Sequence, residues 1–272
     1  MIRKILVVLL VVFWAVVLIP RLNKKFFRLK QAPAVRTEFV KPPVSLKDAM
    51  VLLRNRKDAQ ALAIFEEVLV REPSNTEALW AKAEILRRRS KYNESETILN
   101  QVLKSDPEYL PAMISMSYIE YKTGSANEAL RLINKVLENP KKNREDEALA
   151  LIMLGTINKK RSSEGWLFDK IRFGTKIKGY LIQANKIAPE LPEAHFALGS
   201  FYLLAPSVIG GDLNKAIDEL KLAVEIAPDF ASANARLAQA YKKSGDLADY
   251  EFFLKKAREL EPDNEVLKEM GL

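Results

Sequence analysis

Apolar residues follow two regimes along this chain. From Ile5 to Pro20, ILVVLLVVFWAVVLIP, they run without a polar interruption. From about residue 46 they return every three or four positions, as in ALAIFEEVLV (61–70) and ALRLINKVL (129–137). That spacing is the period of a helix with one buried face. Six of the helical stretches run into a proline: FEEVLVREP, LNQVLKSDP, INKVLENP, LIQANKIAP, LKLAVEIAP and LKKARELEP. Pro73 and Pro107 lie 34 residues apart, Pro107 and Pro140 33, and Pro228 and Pro262 again 34. Proline cannot continue a helical hydrogen-bond ladder, so it marks the end of each run. A fixed period of this size predicts stacked helix pairs, each needing its neighbours to cover an apolar face. Strand-like alternation is scarce, and Ala, Leu, Glu and Lys dominate, which favours helix. The expected class is all-α.

The uninterrupted run has a different meaning. Sixteen helical residues reach about 24 Å, short of a hydrocarbon core of about 30 Å. Leu22, Phe26 and Phe27 extend the apolar surface, while Arg21, Lys24 and Lys25 can snorkel to headgroups. No small-residue cleavage site follows, so residues 1–30 read as an uncleaved transmembrane anchor rather than a signal peptide. Residues 31–43 read as an extended linker, because Pro33, Pro42 and Pro43 oppose helix.

Charge strengthens that assignment. The net charge is +8, and residues 1–43 carry all of it, with nine basic residues against Glu38. The remainder is balanced, so the excess belongs to a membrane surface and not to a nucleic-acid face. More positives follow the span than precede it, which places the repeats on the cytoplasmic side. The expected location is a bacterial inner membrane, crossed once.

Little in the chain supports catalysis. There is no cysteine and one histidine, His195, so thiolate chemistry and multi-imidazole metal sites are excluded. The carboxylates are scattered over helix faces, and no acid–base pair stands out. APSVIGGDLNKA (205–216) offers glycines and Lys215 before a helix, but a phosphate loop needs a preceding strand, and none is legible. The same element recurs as KTGSANEAL and KSGDLADY. Gly124, Gly211 and Gly245 are expected to end a helix with positive φ, and Ser125, Asp212 and Asp246 to cap the next. No enzyme activity, cofactor or metal is expected.

The periodic positions have a specific pattern. HFALGSFY places His195, Leu198, Gly199 and Tyr202 at fixed spacing; NARLAQAY gives Leu237, Ala238 and Tyr241; LIMLG gives Leu151, Leu154 and Gly155. On the second helices, Ala61 with Phe65, Ala129 with Ile133, and Ala216 with Leu220 and Ala223 fall in register. In these positions the chain resembles the tetratricopeptide repeat. The resemblance implies an α-solenoid, a right-handed superhelix of helix hairpins. Six repeats are expected over residues 44–262: 44–75, 76–109, 110–142, 143–191, 192–230 and 231–262, with residues 263–272 as a capping helix. The fourth has about ten extra residues between its helices and the fifth about five. Ser95 and Tyr250 replace the usual small Ala. The last three repeats, with residues 176–202 and the inserted loop after them, also loosely resemble the regulator-of-microtubule-dynamics and transporter-associated subgroup, over about half the chain.

If the resemblance holds, first helices line the inner surface. The inner positions are Trp80, Glu84, Arg87, Arg88, Ile114, Tyr118, Tyr121, Lys122, Ile152, Thr156, Lys159, Lys160, Phe196, Ser200, Leu203, Gln239, Lys242 and Lys243. Apolar residues alternate with basic ones, which suits a peptide with apolar anchors and acidic flanks; equally, the apolar members pack against neighbouring helices. The Lys/Asn/Arg clamp of chaperone-binding relatives is absent. The basic stretch 159–180, with Trp166, Phe168, Lys170, Arg172 and Phe173, either lies on an anionic surface or partner, or tucks its aromatics into the stack. The implied function is a membrane-anchored scaffold for a protein or peptide partner. The alternative is a binding protein for a lipid or another apolar or anionic small ligand. No nucleic-acid partner is expected.

Overall fold

The computed structural model describes residues 45–163 and 167–272, with side chains between 159 and 175 left undescribed. The described residues form thirteen α-helices and one short 3₁₀ turn, with no strand among them. They pair as α1 (Leu46–Arg54) with α2 (Asp58–Arg71), α3 (Thr76–Arg88) with α4 (Tyr92–Ser105), and α5 (Leu110–Thr123) with α6 (Ala126–Glu138). Then come α7 (Arg144–Ser163) with α8 (Leu167–Ile187), α9 (Pro192–Leu204) with α10 (Leu213–Ile226), and α11 (Ala231–Ser244) with α12 (Leu247–Leu260). The short α13 (Glu265–Glu269) follows and packs on α11. No helix among the described residues is long and apolar enough to cross a membrane. The expected anchor, residues 1–30, and the linker, 31–43, lie outside the described residues.

Proline sets the second-helix ends with single-residue regularity. α2, α4, α6, α8, α10 and α12 each stop two residues before Pro73, Pro107, Pro140, Pro189, Pro228 and Pro262. The intervening residue leaves helical geometry: ψ is 76° at Glu72, 92° at Asp106, 122° at Asn139, 84° at Ala227 and 91° at Glu261. A proline ring clashes with a helical residue before it and pushes that residue to extended backbone. Six helix starts carry side-chain caps on free backbone N–H groups, from Ser45, Asn75, Ser125, Asp212, Asp246 and Asn264.

Small residues let the paired helices approach. Ala61, Ala81, Ala129, Ala216, Ala223 and Ala238 have no exposed surface. Ser95, in an Ala slot, is also fully buried and donates to the Ala83 carbonyl at 2.7 Å. Tyr250 is buried as well. The core runs along the stack as successive clusters. Trp80 borders the first two, and Ile152 borders the last two.

Two expectations are corrected. The extra residues of the fourth repeat do not form a long connection between helices. They lengthen both partners, so α7 has 20 residues and α8 has 21, against 13 or 14 in most others. The glycines also differ from one another. Gly245 has φ 87°, but Gly124 lies at −121°, and in the fifth repeat Gly210 takes the left-handed backbone (φ 101°) instead of Gly211. Gly211 is needed for space, since a Cβ there would lie 1.8 Å from the Ala205 carbonyl oxygen. APSVIGGDLNKA is therefore a 3₁₀ turn (Ser207–Ile209) followed by the Asp212 cap of α10.

Candidate partner-binding cavity

The inner surface bounds a cavity of about 1750 Å³ that touches every repeat. One wall is an apolar strip with one residue from each of four successive first helices: Trp80, Ile114, Ile152 and Phe196. Trp80 donates from Nε1 to Ser115 Oγ at 3.2 Å and meets the Tyr109 ring edge-on. Phe196 packs on Phe230 at 4.9 Å between ring centroids.

Beside the strip the lining is charged, and its charges are spent on one another; Glu84 follows Trp80 by four residues on the same helix, and Ser115 bonds both. Glu84 accepts from Arg87 Nε (2.8 Å), Arg87 Nη2 (2.6 Å), Arg88 Nε (3.0 Å) and Ser115 Oγ (2.8 Å). Burial alone would raise its pKa, but the two guanidinium groups hold the carboxyl well below the usual range. Arg88 also donates to Asp58 at 2.8 Å and to the Leu53 carbonyl at 3.0 Å. Arg56 reaches Glu193 at 2.5 Å, with its guanidinium 4.0 Å above the Phe230 ring. Burial, then the charge of Arg88, lowers the Arg56 pKa from the ordinary arginine value.

These contacts join distant parts of the stack. Arg56–Glu193 ties the first repeat to the fifth, and Arg54–Glu145 (3.2 Å) ties the first to the fourth. On α13, Glu265 reaches the second and third repeats. The first repeat and the closing helix are thus each tied to repeats that are not their neighbours.

Of the positions expected on the inner surface, Trp80, Glu84, Arg87, Arg88, Ile114, Tyr118, Tyr121, Lys122, Ile152, Thr156, Phe196 and Ser200 line the cavity. Lys242 and Lys243 do not. Lys242 lies 5.2 Å from the Tyr250 ring centroid, and Lys243 donates to the Leu203 carbonyl at 3.1 Å. Leu203 is core, and Gln239 accepts from Arg236. The side chains of Lys159, Lys160, Trp166, Phe168, Lys170, Arg172 and Phe173 fall outside the described residues. Sequence reasoning missed Arg56, Glu193, Phe230, Arg236 and Glu265, all on the cavity. For Arg56 a signal existed. It and Ser90 occupy the turn position that repeats every 34 residues and is Gly245 in the last repeat, and both keep left-handed backbone, φ 61° and 58°. A side chain retained in such a slot costs backbone strain.

His195 has a structural place. It is buried, with Nδ1 2.7 Å from Glu219 Oε2 and Nε2 2.8 Å from the Pro189 carbonyl oxygen. Burial opposes its charge, but an acceptor on each ring nitrogen outweighs burial and raises its pKa. A raised folded pKa gives stability that is complete below the unfolded value of 6.5 and lost as pH rises through the folded value. Urea midpoints of the native chain should therefore fall between pH 6 and pH 8.5. His195→Gln should flatten that fall; an equal fall in both chains assigns the pH dependence elsewhere.

Comparison with known proteins agrees with this architecture. The tetratricopeptide repeat family matches residues 46–109 and, separately, residues 231–264. Those two stretches carry tetratricopeptide repeats. Among solved structures, this helical repeat array is similar to the human IFIT1 dimer with PPP-AAAA (TM-score 0.57, 20% identity, 80% of this chain and 50% of that one). It is similar to the same human protein with m7Gppp-AAAA (TM-score 0.58, 19% identity, 80% and 49%). It is also similar to PilW, a type IV pilus biogenesis factor (TM-score 0.47, 18% identity, 84% and 96%). The chain spans about half the length of the IFIT1 chains it matches. At its identities the likeness to IFIT1 is one of fold. No curated protein matches the sequence.

Proposed function

We propose that this TPR solenoid is a scaffold, tethered to a membrane through residues 5–20, whose cavity binds an extended segment of a partner protein. The apolar strip carries this reading. Trp80, Ile114, Ile152 and Phe196 recur one per repeat, as anchor positions for alternate side chains of a peptide should. A lipid chain fits poorly, because buried ion pairs adjoin the strip at Glu84, Arg87, Arg88 and Arg56. Nucleic acid needs a net positive surface, whereas residues 44–272 are balanced and the cavity cations face acids.

A photo-crosslinking residue placed at Phe196 in the full-length chain, in membranes, tests this. It should yield a defined protein adduct that is absent when the residue is placed at Lys255, which is 78% exposed on α12. Ile152→Asp should lower the yield at least tenfold. Adducts of equal yield at both positions, or adducts only with lipid or nucleic acid, overturn the reading.

A further inference from the structure

Glu265 is bound more heavily than a closing helix requires. α13 has five residues, capped by Asn264 and seated by the buried Val266 and Leu267. That seat needs nothing from Glu265. Yet the Glu265 carboxylate faces four donors from the second and third repeats. Lys122 Nζ lies 2.8 Å from Oε2, and Tyr118 donates its hydroxyl to Oε2 at 3.4 Å. Ser90 Oγ donates to Oε1 at 3.3 Å, and the Tyr92 hydroxyl donates to the same oxygen.

The donor cluster is built within the stack and not by α13. Tyr92 and Tyr118 pack at 6.3 Å between centroids, and the Arg87 guanidinium lies 4.3 Å above the Tyr118 ring. Ser90 holds left-handed backbone where the last repeat has glycine, which is a strained way to place a hydroxyl. Arg87 is already neutralised by Glu84. Without Glu265 the cluster would keep two phenol hydroxyls, a serine hydroxyl and one uncompensated lysine. That set matches a single carboxylate. Tyr118 follows Ile114 by four residues, so the cluster and the apolar strip share one face of α5.

We propose that Ser90, Tyr92, Tyr118 and Lys122 form a carboxylate-binding seat for an acidic side chain of the partner segment, and that Glu265 occupies it in cis. The partner displaces Glu265 and continues along the strip toward Ile114 and Ile152. This rests on the scaffold reading above. A tethered occupant acts at an effective concentration in the millimolar range, so it sets a threshold that only a well-anchored segment passes.

The test uses the full-length chain and a fluorescent peptide copying residues 261–272. Peptide affinity should be at least tenfold higher for Glu265→Ala than for the native chain. The gain should vanish when Lys122→Met is added, or when the peptide's own glutamate at the Glu265 position is replaced by glutamine. Glu265→Gln, which keeps the side-chain volume, serves if the alanine variant folds poorly. Equal affinity for native and Glu265-substituted chains overturns the seat, as does equal binding of the glutamine peptide. Crosslinking at Phe196 separates the two ideas. Partner adducts that ignore both Glu265→Ala and Lys122→Met remove the seat and leave the scaffold standing. A seat that passes the peptide assay while Phe196 gives no protein adduct removes the scaffold.

Discussion

Glu84→Ala should lower the unfolding free energy by about 3–5 kcal/mol, the usual cost of removing one partner from a buried ion pair. Glu84 is 8% exposed and accepts from Arg87, Arg88 and Ser115. Its loss leaves two guanidinium groups facing each other inside the stack, with Arg88 still partly held by Asp58 and Leu53. Glu84→Gln should cost nearly as much, because the charge matters more than the volume. Urea denaturation at pH 7 measures both. A loss under about 1 kcal/mol is the scale of an exposed pair and would show that water enters the cluster freely. The pH dependence has a fixed sign. The folded carboxyl is held below its ordinary value of 4.5, so its contribution is present above that value and fades as pH falls through the folded pKa. The glutamine variant should accordingly lose less stability on acidification than the native chain.

Gly199→Ala should destabilise and Gly155→Ala should not, although both glycines follow leucine at the same repeat position. At Gly199 an added Cβ would sit 2.8 Å from Leu220 Cγ, 3.1 Å from the Leu220 nitrogen and 3.2 Å from the Ala216 carbonyl oxygen. Two of those neighbours are backbone, so α9 and α10 must part. Overpacking of this kind costs about 1–3 kcal/mol. At Gly155 the nearest atom is Leu181 Cδ2 at 3.5 Å, an ordinary contact. There the better helix propensity of alanine, about 1 kcal/mol, is free to act. Paired urea melts decide it: equal midpoints for the two variants would mean that α9 and α10 are not in close contact at Gly199.

The cavity was only half legible before the structure. Ile114, Ile152 and Phe196 follow from repeat position, because a first helix turns the same face inward in each unit. Arg87 and Arg88 fall among the basic inner positions that would suit the acidic flanks of a peptide. They are instead held by Glu84, and Arg88 also by Asp58. Lys242 and Lys243 occupy the equivalent place in the last repeat, yet they turn to Tyr250 and Leu203. Periodicity assigns a face, but the partner across a cavity decides what a charge on that face is for.

Sequence alone determined what is local. A 3.6-residue period, small residues where helices cross and a proline after each second helix act within a few residues, and they fixed an all-helical repeat array. Tertiary structure decided what is remote. Small rotations between successive repeats accumulate into curvature, and curvature brings together Arg54 with Glu145, Arg56 with Glu193, and Ser90 with Glu265, pairs 91, 137 and 175 residues apart. No local pattern encodes such pairings, because each depends on the summed geometry of every repeat between the two residues.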